Sequence, residues 1–128
     1  MTEGTKIEIE SLERFISDKR ELELRTQRLS SLSSELNEKT LPSEVRIFKA
    51  LADTNRLKII KLLKEGELCV CELTAVLTTS QSTVSHHLSV LKNAGLIKER
   101  KEGKWSYFRL SDGAVIEILN QAKLLIDE

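Results

Sequence analysis

Apolar residues recur at spacings near three and four through the first third of the chain, where Leu12, Phe15, Ile16, Leu22, Leu29, Leu32 and Leu36 stand among many charges. That period predicts an amphipathic helix over residues 7–37. Leu22, Leu29 and Leu36 fall one heptad apart, but Asp18 and Arg25 occupy intervening heptad positions, so a long ideal coiled coil is not expected. The helix either lies on its own domain or joins a dimer interface. Pro42, the only proline, follows the polar residues 37–40 and marks a boundary, with the next helix predicted over residues 43–52. Asp53 or Thr54 can cap another helix, which carries Leu57, Ile59, Ile60, Leu62 and Leu63 and ends near Gly66.

A short helix is predicted over residues 67–77, then a polar break at residues 78–80, then a helix over residues 81–94 closed by Gly95. Two short helices joined by a tight polar turn form a helix-turn-helix pattern. Residues 96–101 and 104–110 flank Glu102 and Gly103 and supply Ile97, Trp105, Tyr107 and Phe108, which reads as a β-hairpin. The last segment, residues 112–126, is apolar enough to suggest an interface helix. The expected fold is mainly α with a small β-hairpin wing, a winged helix-turn-helix over residues 43–128. Residues 1–42 form an N-terminal helical extension, a candidate for the dimer interface.

Net charge is zero, with 20 Lys and Arg against 20 Asp and Glu, which at first argues against nucleic acid. Its distribution changes the picture. Residues 78–109 carry six Lys and Arg against two Asp and Glu, whereas residues 1–44 carry seven against ten. No apolar run approaches the roughly 20 residues of a membrane span, and the acidic N-terminus is unlike a signal peptide, so a cytoplasmic protein with no membrane partner is expected. No phosphate loop, catalytic triad or paired-carboxylate cleft is evident, and an enzyme is not expected.

On a helix over residues 81–94, Val84, Leu88 and Leu91 share one side with His87 at its edge, and Ser82, Ser85, His86, Ser89 and Asn93 face the other. Short polar groups can approach base edges in a major groove, and Ser80 can cap the helix start, where phosphate is attracted. Lys98, Arg100, Lys101 and Lys104 crowd the hairpin and suit the adjacent backbone. The candidate DNA-binding residues are therefore Gln81, Ser82, Thr83, Ser85, His86, Ser89, Lys92, Arg100, Lys101 and Lys104, with double-stranded operator DNA as partner. An ordinary solvated face and an aggregation-resistant hairpin edge are the plainer alternatives. Adjacent histidines diverge by about 100° on a helix, which favours DNA contact for His86 and core packing for His87 over a shared metal.

These blocks resemble the ArsR family of winged-helix repressors over residues 44–124: FKALADTNRL at residues 48–57, ELCVCEL at 67–73, SQSTVSHHL at 80–88, LKNAGLI at 91–97 and EGKWSYFRL at 102–110. The resemblance implies a homodimer held by the first and last core helices on a partly palindromic operator. It also implies that Cys69 and Cys71 match the thiolate pair of the family's metal sensors. Soft thiolates suit arsenite, antimonite or a thiophilic divalent metal. Family sensors add a third thiol, either at the position of Thr74 or from an N-terminal arm, and this chain has neither. The family's other site lies on the last helix, which here has Asp112 and Glu117 but no histidine. Helix positions i and i+2 point about 200° apart, so a shared metal or a disulfide is expected to need an unwound helix start. Metal(loid) sensing, thiol redox sensing and a purely structural pair stay open. A winged-helix module that binds protein is the alternative from another class, and a lone C-x-C without a thioredoxin-like pattern argues against a thiol oxidoreductase.

Overall fold

The computed structural model describes residues 18–36 and 39–126. The chain divides into two compact units, Met1–Leu41 and Pro42–Glu128, which are described separately. In the first, helix α1 spans Lys19–Leu36. Asp18 starts it by accepting the Arg20 backbone N–H at 3.0 Å, and Leu24, Leu29, Leu32 and Leu36 are exposed along it. The expected helix began at residue 7; residues 7–17 and 37 lie outside the described part.

The second unit is built from α2 (Leu41–Leu51), α3 (Thr54–Leu63), β1 (Leu68–Cys69), α4 (Val70–Leu77), α5 (Gln81–Asn93), β2 (Ile97–Glu102), β3 (Trp105–Leu110) and α6 (Ala114–Lys123). Pro42 sits in the first turn of α2, where a missing N–H leaves no bond unmade, so the helix begins two residues before the expected start at residue 43. Asp53 is the residue that caps α3, its carboxylate accepting the Arg56 N–H at 3.0 Å.

One expected element is corrected. Residues 67–77 are not all helical: Leu68 and Cys69 are extended and pair antiparallel with Phe108 and Tyr107, and α4 begins only at Val70. The sheet order is β1-β3-β2, so β3 is the central strand and ties the start of α4 to the hairpin. The hairpin turns at Gly103 with φ +61°, a left-handed conformation that favours glycine. Thr78 ends α4 with φ 51°, a region that β-branched residues rarely occupy, and so swings the chain into α5. The last helix ends at Lys123, short of the expected residue 126, and Leu124, Leu125 and Ile126 follow it exposed.

One core joins these elements. Ile59 and Ile60 of α3, Leu73 of α4 and Val84, Leu88 and Leu91 of α5 are all essentially inaccessible, and Ile97, Phe108 and Val115 close it from the sheet and α6. Each such side chain contributes roughly 1.5–3 kcal/mol by leaving water. The result fixes the rotation of α5 about its axis, and hence which residues it shows to solvent.

Candidate nucleic-acid interface

Helix α5 is held at its start by hydroxyl chemistry. Ser80 Oγ accepts the Thr83 backbone N–H at 3.1 Å and donates to Thr83 Oγ1 at 2.8 Å, with Ser82 Oγ 3.2 Å away. Thr83 is half-buried in this cap and supports the helix start, whereas Gln81, Ser82, Ser85, His86, Ser89, Lys92 and Asn93 are exposed. Five of these seven are uncharged and short or flat, a surface able to come close to base edges.

His87 is buried, as expected, but in a polar setting. Arg56 Nη1 donates to its Nδ1 at 3.1 Å, Arg56 Nε donates to the Ala50 carbonyl at 2.7 Å, and Asp53 Oδ2 lies 3.9 Å from Nδ1. The Arg56 N–H, followed by the Arg56 charge, holds the Asp53 carboxyl below the usual range. This cluster links the end of α2 and the start of α3 to α5. Sequence reasoning missed it, although Asp53 and Arg56 at a helix start opposite a histidine on a core face were its visible traces.

The hairpin distributes its cations unequally. Strand residues alternate between faces, and the register pairs Ile97 with Leu110, Glu99 with Phe108 and Lys101 with Ser106 on the face that bears the core. Lys98 and Arg100 pair with Arg109 and Tyr107 on the other face, and Glu102 pairs with Trp105 beside the turn. Arg100 is fully engaged there: Nη2 donates to Glu67 Oε1 at 2.7 Å, Nη1 to Glu102 Oε2 at 2.6 Å, and its guanidinium lies 4.7 Å from the Tyr107 ring centroid. Those two carboxylates raise its already high pKa further, and Arg100 in turn lowers that of Glu67. On the core face Lys92 Nζ donates to Glu99 Oε1 at 2.8 Å, joining α5 to β2, and this contact, with help from Ser106, lowers the Glu99 pKa. Lys101 and Lys104 are exposed and make no ion pair among the described residues; Lys104 Nζ lies 5.9 Å from the Trp105 ring centroid.

The structure thus gathers Gln81, Ser82, Ser85, His86 and Ser89 on one exposed surface, leaves Lys101 and Lys104 free on the wing, and places Arg100 and Lys92 in internal ion pairs. Glu67 and Glu99, which neutralise two of the expected phosphate contacts, were not anticipated.

Cys69 and Cys71 are joined by a disulfide, their Cα atoms 5.3 Å apart. Residues 67–69, expected to be helical, are not, which is the non-helical start that such a bond needs. Cys69 precedes α4 as an extended N-cap, its Sγ accepting the Glu72 N–H at 3.3 Å while its own N–H donates to Glu72 Oε1 at 2.9 Å. The 200° divergence applies only to two residues inside a helix, and only Cys71 is inside. As dithiols the pair could offer two soft donors to a metal(loid), but no group of three or more His, Cys, Asp or Glu is placed to hold a metal ion among the described residues. Thr74 donates its hydroxyl to the Val70 carbonyl at 2.7 Å, and Asp112 accepts the Ala114 N–H at 2.8 Å as a cap for α6.

A cleft of about 670 Å³ opens between α4, α5 and the wing, lined by Cys71, Ser85, Ser89, Lys104, Trp105 and Phe108 among others. It reaches the same serines that α5 exposes.

The family model described as the bacterial regulatory protein arsR family matches residues 53–99. An uncharacterized HTH-type transcriptional regulator of Methanocaldococcus jannaschii is 48% identical over 83 residues, covering 64% of this chain and 89% of that protein. The arsenical resistance operon repressor of Bacillus subtilis is 44% identical over 75 residues, covering 58% of this chain and 71% of the repressor. Among solved structures, a homodimeric winged helix-turn-helix DNA-binding domain from Mycobacterium bovis superposes with a TM-score of 0.65 at 30% identity, covering 72% of this chain and 88% of that one.

Proposed function

The chain belongs to the arsR family of bacterial regulatory proteins, DNA-binding transcription regulators of the winged helix-turn-helix type, and from that premise we propose that it is a homodimeric repressor of double-stranded operator DNA. The observation that carries this reading is the rigidly seated α5 and its exposed row of Gln81, Ser82, Ser85, His86 and Ser89. These residues read base edges in the major groove, while Lys101 and Lys104 meet the flanking phosphates. Thr83 acts through the cap rather than on DNA, and Lys92 and Arg100 orient α5 and the wing.

The dimer rests on what the single chain leaves uncovered. Val45 and Phe48 of α2 and Leu124, Leu125 and Ile126 beyond α6 are large apolar side chains open to water, as a face awaiting a second copy would be. Two α5 helices related by a twofold axis meet successive major grooves about 34–36 Å apart, which calls for a partly palindromic operator. Residues 1–42 extend the interface, and residues 43–128 form the DNA-binding domain. Reduced Cys69 and Cys71 supply a soft dithiol to arsenite, antimonite or a thiophilic divalent metal, and its binding weakens the operator complex. The Bacillus repressor's name supports the metalloid.

Fluorescence anisotropy with the DNA upstream of the protein's own gene, against a random duplex at several salt concentrations, tests the core of this. Specific binding that falls steeply with salt is expected. Equal and weak binding to both duplexes would overturn it in favour of a protein-binding winged helix. Arsenite added to the reduced protein should release the operator, and should fail to do so in the Cys69→Ser/Cys71→Ser protein.

A further inference from the structure

The disulfide and the cleft meet at one residue, Cys71. Of the two cysteines, Cys69 is 6% exposed and absent from the cleft wall, whereas Cys71 is exposed and lines it. The cleft's volume of about 670 Å³ is within the range of small-molecule sites, roughly 300–1,000 Å³. Its walls are mainly apolar, with Val70, Leu88, Phe108 and Trp105, and Lys104 adds a cation with no ion pair among the described residues.

We propose that Cys71 is a modification site, at which a low-molecular-weight thiol bearing a carboxylate exchanges into the Cys69–Cys71 disulfide and lodges in the cleft that α5 shares with the wing. The thiolate attacks Cys71 Sγ, because burial shields Cys69 Sγ. A new S–S bond forms between the small thiol and Cys71, the Cys69–Cys71 bond breaks, and its electron pair leaves on Cys69 Sγ. No external oxidant is needed, since one disulfide replaces another. Cys69 is the better leaving group of the two: it stands at the N-terminus of α4 and already receives the Glu72 N–H, and both features stabilise a thiolate. The reverse step, attack of Cys69 on Cys71, expels the small thiol, so occupancy follows the thiol's concentration. The adduct's carboxylate pairs with Lys104, and its body fills the space beside Ser85 and Ser89. A protein so loaded presents a blocked α5.

The regulatory consequence rests on the DNA-reading role of α5, whereas the modification does not, and the test separates them. Trp105 is the only tryptophan and lines the cleft, so its emission reports occupancy without DNA. The full chain in its disulfide form is exposed to glutathione, acid-quenched, alkylated and mapped by mass spectrometry. Expected are glutathione on Cys71, the alkyl group on Cys69, and a shift of Trp105 emission that is weaker with uncharged 2-mercaptoethanol and in Lys104→Ala. Cys69→Ser, treated with oxidised glutathione, retains the adduct because nothing can expel it. It should lose operator affinity at least tenfold relative to its untreated form. Glutathione on Cys69, or unmoved Trp105 emission with Cys71 loaded, would overturn the site. A loaded Cys69→Ser that binds operator as well as the unloaded form would overturn the blockade alone. A protein that binds no operator in any form would sink the repressor reading and leave the mass and emission results to judge the modification.

Discussion

Helix α5 and the wing flank the same cleft, yet they handle polar residues in opposite ways. On α5 the inward side is sealed by Val84, Leu88 and Leu91, and the outward side carries short uncharged groups free to find partners elsewhere. The wing is rich in charge, and one of its cations is already satisfied, Arg100 by Glu67 and Glu102, as is Lys92, reaching across from α5, by Glu99. A count of basic residues therefore overstates what the wing can offer phosphate. Positive side chains set next to carboxylates serve first as rivets between elements, whereas Lys98, Lys101, Lys104 and Arg109 make no ion pair among the described residues, and of these Lys101 and Lys104 stand toward the tip.

The largest effect on this contrast should come from loosening the seat of α5. Leu88→Ala removes a side chain that is 1% exposed and should lower unfolding free energy by about 2–5 kcal/mol in a denaturant titration. A loss well below 1 kcal/mol would mean that α5 is not rigidly held. Next, His86→Ala should cost about 1–3 kcal/mol in operator binding and leave random-duplex binding unchanged; an equal loss on both duplexes would reassign His86 to backbone contact. On the wing, Lys101→Ala and Lys104→Ala should each reduce the salt-dependence slope of binding by about 0.9, while Arg100→Ala leaves the slope where it was. If Arg100→Ala lowers it as much as the lysine changes do, the ion pairs open on DNA and the contrast fails.

The smallest expected effect is one of pH. The Glu99 carboxyl is lowered by Lys92, so its pair with Lys92 stabilises the fold fully above the ordinary glutamate value. That contribution fades as pH falls through the lower folded value. It should amount to no more than about 1 kcal/mol for a pair this close to the surface. Glu99→Gln should flatten that part of the acid unfolding curve, measured by circular dichroism, and release Lys92. An unchanged curve would mean that the pair contributes nothing to stability.

Much of this architecture was legible in the chain. Helical periodicity gave the order of the helices, Asp53 and Ser80 announced their caps, and Gly103 marked the hairpin turn. Three features were hidden for physical reasons. Strand β1 is two residues long, too short for alternation to register, and depends on partners distant in sequence. That strand moved the start of α4 past Cys69, and so supplied the non-helical start that a bond between the two cysteines needs. The pairing of Arg100 with Glu67 spans 33 positions, and no local pattern signals such a contact. What α5 exposes was readable because one helix carries both its apolar and its polar faces. How free the wing cations are was not, because the answer lay in neighbours on other elements.

Strand β1 also bears on the order in which the protein is made. Leu68 leaves the ribosome forty residues ahead of Phe108, its pairing partner, and Phe108 is part of the core on which α5 rests. A nascent chain that stops short of Trp105 holds the entire helix-turn-helix sequence with neither a central strand nor that part of its floor. Such long-range pairings form late, after the local helices. A ribosome-bound fragment therefore contains the α5 residues proposed to read DNA without the frame that aims them, and the proposed recognition has to wait until the hairpin has emerged and closed.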